Sequence, residues 1–134
     1  MKWVRKYSRL KFLDGGRDFG GVDCWGLVRL IYENELGIHL PEYGEISAHD
    51  LKNASKAMVD GDASGKWKPV CRNDLKEFDI VAMRFYGHSV VGHVGVAVTA
   101  STIIHIEPKV NVAIVPVSNP LILNRIYGFR RFIE

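Results

Sequence analysis

The sequence predicts an α+β fold in which helices come first along the chain and a strand meander follows. Two observations carry this prediction: a helical pattern over residues 24–36, and a change to strand patterns after residue 78. A chain of 134 residues, with 47% hydrophobic and 25% charged residues, has the size and composition of one folded domain. We therefore expect a single domain over residues 1–134, with N-terminal helices packed on a central antiparallel β-sheet.

The first predicted helix has clear start and stop signals. Leu27, Leu30 and Ile31 recur at helical spacing and form an apolar stripe. Asp23 is a suitable N-cap, because its side chain accepts hydrogen bonds from the first free backbone N–H groups. Gly37 is a suitable stop, since glycine adopts the left-handed conformation that ends many helices.

Four further segments in the N-terminal half have less specific sequence patterns. Residues 1–12 mix basic and apolar positions, which fits either a short helix or a strand. Residues 14–21 are rich in glycine and form either a flexible turn or the wall of a cleft, where glycine lets backbone approach a substrate. Ser47 begins a plausible second helix, and residues 60–65 form a loop.

The second half of the chain predicts five strands rich in valine, isoleucine and aromatic residues, separated by turn residues. Their predicted ranges are 79–85, 94–98, 102–106, 112–117 and 127–133. Short connections between consecutive strands favour antiparallel pairing.

Charge and targeting signals exclude several classes of function. The net charge of +3 is too diffuse to indicate a nucleic-acid-binding protein. No histidines and cysteines occur at metal-ligand spacing, and we predict neither a metal site nor a cofactor. No stretch is apolar enough for a signal peptide or a membrane span, so we expect a chain that is cytoplasmic as synthesised.

Cys24 is the strongest candidate for a reactive group. It lies at the predicted helix start, where the helix dipole stabilises a thiolate, and a nearby imidazole has the same effect. Both effects predict a lowered thiol pKa. The alternative is a buried structural cysteine, which is the commoner role of a single cysteine. Cys71 lacks this context, and we interpret it as structural.

Two downstream histidines complete a possible catalytic set. His93 shares a strand face with Gly95 and Ala97, whereas valines occupy the other face. We expect the first helix to lie against the small-residue face, bringing Cys24 to His93. His105 is 12 residues further on and lies on the same face as His93 only if the hairpin connection has an odd length or a bulge.

With that geometry, each residue has a defined role in acyl transfer. Cys24 attacks a carbonyl carbon, and His93 takes the thiol proton and later protonates the leaving amine. His105 orients His93 by accepting a hydrogen bond from its other ring nitrogen. A backbone N–H at the helix start is the natural donor to the oxyanion.

The same residues resemble the NlpC-type cell-wall peptidases, which are papain-like cysteine peptidases. The resemblance runs through five segments in the family's order, nearly along the whole chain: residues 12–16, 21–28, 77–81, 93–96 and 104–105. It implies a papain-like fold and cleavage of peptidoglycan stem peptides, typically between D-glutamate and a diamino acid. Carried over, Cys24 is the nucleophile, His93 the base and His105 the polar third member.

Two positions depart from the family pattern. Trp25 replaces the serine that many members have after the cysteine, and together with the segment 37–43 it resembles the branch encoded with phage tail genes. Phe12 occupies the place of a family tyrosine, so a hydroxyl is missing there, and Tyr7 is a candidate substitute. We therefore regard Asp23, Trp25, Phe12 and Tyr7 as substrate or oxyanion candidates.

The leading hypothesis is a peptidoglycan endopeptidase delivered to the cell wall by a phage tail, with stem peptides and tail proteins as partners. One alternative is a tail structural or assembly protein that keeps the fold with little activity; Phe12 favours it and the intact cysteine and histidines oppose it. The other alternative is a papain-like amidase or acyl hydrolase that acts on another substrate.

Overall fold

The computed structural model describes residues 2–40, 67–84 and 91–133. The first described part contains a 3-10 helix (Lys2–Lys6), strands β1 (Arg17–Asp18) and β2 (Gly21–Val22), and helix α1 (Cys24–Ile31), which continues as a π-helical segment (Tyr32–Leu36). The predicted helix from Ser47 and the predicted loop 60–65 lie outside the described residues. No helix among the described residues is long and apolar enough to cross a membrane.

The rest of the described chain consists mostly of strands. These are β3 (Trp67–Val70), β4 (Ile80–Arg84), β5 (Val91–Ala97), β6 (Thr102–Glu107), β7 (Asn111–Pro116) and β8 (Ile126–Phe132), with a 3-10 turn (Arg72–Asp74) after β3 and helix α2 (Pro120–Leu123) before β8. Six strands form one antiparallel sheet in the order β3-β8-β4-β5-β6-β7. The predicted α+β class is confirmed.

One strand of this sheet was not predicted from the sequence. β3 pairs with β8 at one edge of the sheet and contains Lys68 and Pro69, both exposed. Proline cannot donate a ladder hydrogen bond, so it is tolerated at an edge but weakens the strand signal. The N-terminal segment, for which helix and strand were both open, begins as a 3-10 helix.

Helix α1 packs on the valine face of the sheet. Leu27, Val28 and Ile31 are fully buried in one hydrophobic cluster with residues of the β5–β6 hairpin, namely Val94, Val96, Val98, Ile104 and Ile106. The expectation that the helix covers the small-residue face is therefore wrong. The valines offer more apolar surface for the helix to bury than glycine and alanine do, and burial free energy grows with that area.

The opposite face of the sheet has its own hydrophobic cluster. Ala97 and Ile103 lie there among larger side chains from other elements, namely Leu75, Val81, Met83, Val117, Ile122 and Phe129. The alternation of side chains along β5 and β6 places His93 and His105 on this side of the sheet. The two histidines are consequently buried, each with 3% of its surface exposed.

The β5–β6 hairpin has the odd connection that the two histidines need. Val96 pairs with Ile104 and Ala97 with Ile103, and Val98 N donates to the Thr102 carbonyl at 2.8 Å. This register puts His105 opposite Gly95, one diagonal step from His93 on the same face. A Cβ atom on Gly95 would lie 3.1 Å from the His105 Cβ, so the glycine leaves the space in which the two rings meet.

Candidate active site

Cys24 is the first residue of α1, and Asp23 holds it there. Asp23 Oδ1 accepts a hydrogen bond from Gly26 N at 2.8 Å, as predicted for an N-cap. The same carboxylate binds Gly15 N at 3.1 Å and Arg17 Nη1 at 2.6 Å. Asp23 is 3% exposed, so its carboxylate ties the glycine-rich loop to the helix start.

The glycine-rich loop lies directly against the first turn of α1. A Cβ atom on Gly26 would come within 2.0 Å of the Gly16 carbonyl oxygen. Only glycine permits this contact, because backbone cannot be displaced as a flexible side chain can. Of the two possibilities for this loop, the structure favours a fixed wall beside Cys24 over a free turn.

The Cys24 sulfur contacts the β5 backbone on both sides of His93. The thiol donates to the Gly92 carbonyl oxygen at 3.7 Å. The backbone N–H groups of Val94 and Trp25 also hydrogen-bond the sulfur, which favours its thiolate form. The helix start and the strand that carries His93 thus meet at the sulfur.

Burial nevertheless raises the pKa of the Cys24 thiol to about 12, and the negative charge of Asp23 adds to this effect. The two backbone N–H groups and Arg17 oppose the rise without cancelling it. The expected lowering of the thiol pKa is therefore wrong for this structure. Removal of the sulfur from water destabilises the thiolate, and this effect is larger here than the stabilisation that a helix N-terminus and an imidazole provide.

This result reverses the order of reactivity that the sequence predicts for the two cysteines. Cys71 is exposed, whereas Cys24 is partly buried and has a raised pKa. Because the thiolate is the reactive form, iodoacetamide at pH 8 is expected to alkylate Cys71 faster than Cys24. Peptide mass spectrometry over a time course measures both rates. Faster labelling of Cys24 would show that its thiolate is already formed in the resting protein.

His93 and His105 are joined by a buried hydrogen bond. His93 Nε2 lies 2.8 Å from His105 Nδ1, and the ring planes are inclined by 70°. Burial lowers the pKa of His93 to about 3 and also lowers the pKa of His105. Both rings are therefore neutral at pH 7. His93 Nε2 is thus engaged by His105, and Nδ1 is the other ring nitrogen of His93.

Two charged residues extend this pair. Glu107 Oε1 lies 3.7 Å from His105 Nδ1, and both Glu107 oxygens bind Arg125, at 2.9 Å and 2.8 Å. Glu107 follows His105 by two residues in β6, so the alternation of a strand puts both on the same face of the sheet. Arg125 is 18 residues further along the chain, and no sequence signal links it to this strand.

Comparison with models of protein families assigns the chain to a family. The model of the NlpC/P60 family matches residues 9–131, which is almost the whole chain. The chain belongs to the NlpC/P60 family. This is a family of cysteine peptidases. No curated protein sequence is similar enough to count as a match.

Three solved structures of NlpC/P60 proteins have the same fold. A lipoprotein-like NLP/P60 protein from Staphylococcus aureus has a TM-score of 0.68 and 18% identity, over all of this chain and 40% of that one. A Bacillus cereus family member has a TM-score of 0.61 and 23% identity, over 89% of this chain and 34% of that one. The NlpC/p60 domain of the peptidoglycan hydrolase SagA has a TM-score of 0.60 and 19% identity, over 97% of this chain and 92% of that one. The chain thus spans well under half the length of the first two.

The other substrate candidates of this NlpC/P60 chain lie in different surroundings. Tyr7 is fully buried and its hydroxyl donates to Glu35 Oε2 at 2.7 Å. Glu35 follows Cys24 by 11 residues on one continuous helical segment, roughly 16 Å at 1.5 Å per residue. Tyr7 therefore does not supply the missing hydroxyl near the nucleophile. Trp25 is 6% exposed within the hydrophobic core, and its backbone N–H hydrogen-bonds the Cys24 sulfur.

Phe12 lies close in the fold to the nucleophile segment. It forms an isolated parallel bridge with Val22, two residues before Cys24, and its backbone N–H donates to Asn111 Oδ1 at 3.0 Å. Its ring is half-buried against the first hydrophobic cluster. This environment suits a phenyl ring, and the position carries no hydroxyl that could contact a substrate.

The geometry also bears on metal binding. Ligand atoms of His93, His105 and Glu107 lie within 4.8 Å of one another. However, the two rings are hydrogen-bonded to each other, and the Glu107 carboxylate is bound at both oxygens by Arg125. The guanidinium already supplies the positive charge that a cation would bring. These contacts fit a proton-transfer network rather than a metal centre.

Proposed function

We propose that this chain is a peptidoglycan endopeptidase that hydrolyses a stem-peptide amide bond with Cys24, His93 and His105. One observation carries the proposal: the Cys24 sulfur meets the β5 backbone on both sides of His93, and His93 is hydrogen-bonded to His105. A nucleophile, a base and an orienting group in this order are what acyl transfer requires. The similarity to the peptidoglycan hydrolase SagA supports the same class of substrate.

The neutral resting state determines how the first step proceeds. Because thiol and imidazole are both uncharged, the thiol proton moves to His93 as Sγ attacks the substrate carbonyl carbon. The tetrahedral intermediate collapses to a thioester, and His93 gives the proton to the leaving amine as the C–N bond breaks. Water, deprotonated by His93, then attacks the thioester and releases the carboxylic acid and the Cys24 thiol.

The helix start supplies the groups that stabilise charge during these steps. The backbone N–H groups of Trp25 and Val94 already point at the sulfur, where negative charge is greatest before bond formation. Hydrogen-bond donors fixed in a buried site need no reorganisation when this charge develops. Asp23 and Gly26 keep the first turn of α1 in place during the reaction.

We propose further that the cleaved bond joins D-glutamate to a diamino acid and that the enzyme works with a phage tail, which delivers it to the cell wall. The segment from Asp23 to Val28 and the segment 37–43 support this, since they resemble the tail-associated branch of the family. The rival, a tail structural or assembly protein with little activity, is favoured by Phe12 and by the raised thiol pKa.

A panel of defined muropeptides tests the substrate. The wild-type protein is incubated with intact stem peptides, with truncated stems and with an all-L peptide of similar composition, and products are identified by mass spectrometry. We expect fragments cut between D-glutamate and the diamino acid and none from the all-L peptide. Cleavage of the bond between muramic acid and L-alanine would instead identify an amidase. A folded protein that cuts none of the substrates would favour the structural role.

A further inference from the structure

A buried chain of polar contacts continues beyond the two histidines. His105 Nδ1, which faces His93 at 2.8 Å, is also 3.7 Å from Glu107 Oε1. Glu107 is in turn held by both Nη atoms of Arg125. The Glu107 and Arg125 side chains are only 20% and 10% exposed. A negative charge is thus fixed close to the histidine pair with little access for water.

Arg125 is itself anchored, so it fixes the carboxylate in one place. Its Nε donates to the Arg84 carbonyl at 3.0 Å, and Arg84 N donates to the Arg125 carbonyl at 2.8 Å. These contacts tie Arg125 to the end of β4, the strand next to β5. A bidentate guanidinium–carboxylate pair is the most directional ion pair that proteins form.

We propose that Glu107, held by Arg125, is a positioning residue: its fixed negative charge beside His105 stabilises the positive charge that His93 gains when it takes the Cys24 proton. This inference rests on the proposed function of the same site. It adds to the cysteine and two histidines a fixed counter-charge that neither contacts the substrate nor exchanges a proton.

The charges around His93 support this role. In the described part of the chain, the titratable or charged groups around it are Cys24, His105, Glu107 and Arg125. Of these, Glu107 raises the pKa of His93 against the effect of burial, whereas His105 and Arg125 lower it. The negative end of the ion pair faces the histidines, so Glu107 acts on His93 more strongly than Arg125 does.

The decisive variant is Glu107→Gln, which keeps the shape and one oxygen acceptor for Arg125 but removes the charge. We expect kcat/KM on the cleaved muropeptide to fall roughly tenfold with KM nearly unchanged, since the imidazolium that forms on His93 loses its counter-charge. The acidic limb of the plot of kcat/KM against pH should move to lower pH, because loss of the negative charge at position 107 lowers the pKa of His93. A purely structural role would not move this limb. Glu33→Gln, an exposed change elsewhere, is the matched control.

A second measurement needs no substrate. Alkylation of Cys24 at pH 7 requires its thiolate, which forms when His93 takes the proton, so Glu107→Gln should slow it by a similar factor. Cys71 in the same molecule serves as the internal reference and should not change. Circular dichroism and thermal melting verify the fold. If Glu107→Gln does not fold, Glu107→Asp, which keeps the charge further from His105, should show a smaller slowing of the same kind.

The two measurements separate the two hypotheses. Slower Cys24 alkylation in the folded variant supports the Glu107 role even if no muropeptide is cleaved, in which case only the proposed function fails. The opposite result is a wild-type protein that cleaves muropeptides and a Glu107→Gln variant with unchanged Cys24 alkylation and an unchanged acidic limb. That result would overturn the Glu107 role and leave the proposed function intact.

Discussion

His93→Ala is expected to abolish muropeptide cleavage, whereas His105→Gln keeps a measurable fraction of the wild-type rate. His93 is the group that moves the proton, and general base catalysis contributes roughly 10²- to 10⁴-fold to a rate. The loss is larger here because the thiol pKa is raised to about 12, so little thiolate forms without a base. A glutamine at position 105 still offers an amide oxygen to accept a hydrogen bond from His93 Nε2.

Steady-state rates on the cleaved muropeptide measure both variants, with circular dichroism to verify folding. His39→Gln is the matched control, because His39 is an exposed histidine whose contact is Glu33 at 3.7 Å. It should retain the wild-type rate. If His105→Gln were as inactive as His93→Ala, His105 would do more than orient its neighbour. If His93→Ala kept wild-type turnover, His93 would not be the base.

The free energy of unfolding should decrease as pH falls from about 6.5, because His93 is buried without charge. Its pKa in the folded protein is lowered to about 3, from an ordinary value of 6.5. Between these values the unfolded chain binds a proton that the native protein does not, so acid favours unfolding. The slope approaches roughly 1.4 kcal/mol per pH unit well below pH 6.5, so the loss between pH 6.5 and pH 4.5 is roughly 2 kcal/mol for this group. The lowered pKa of His105 acts in the same direction.

Urea denaturation at several pH values between 4.5 and 7 measures this slope. The window ends at the ordinary glutamate pKa of 4.5, so the lowered pKa values of Glu35 and Glu107 contribute only at its acidic end. His93→Gln should give a flatter dependence of the free energy of unfolding on pH than the wild type. A wild-type stability that stays constant across the window would mean that His93 titrates normally in the folded protein.

The parts of the site that follow from short-range pattern were predicted correctly. Asp23 and Gly37 mark the ends of the first helical segment, because caps depend on residues within one turn. The placement of His93 and His105 on one face follows from the two-residue period of strands, given an odd connection. The family pattern added the order of these residues along the chain.

The remaining features depend on contacts between distant segments. The prediction of the β5 face that helix α1 covers was wrong. That choice depends on which of the two faces of the sheet buries more apolar surface against the helix. The thiol pKa follows from how deeply the helix start is enclosed, which no local pattern encodes. Tyr7 binds Glu35 across 28 residues, and Arg125 binds Glu107 across 18, so neither partner was visible in the sequence.

The central claim is that the Cys24 thiol attacks a peptidoglycan stem peptide, and paired cysteine variants test it most directly. Cys24→Ala and Cys71→Ala are incubated with the same defined muropeptides as the wild type, and products are quantified by mass spectrometry. We predict no product from Cys24→Ala and the wild-type amount from Cys71→Ala, since Cys71 is an exposed surface residue. Cleavage by folded Cys24→Ala at the wild-type rate would contradict the account.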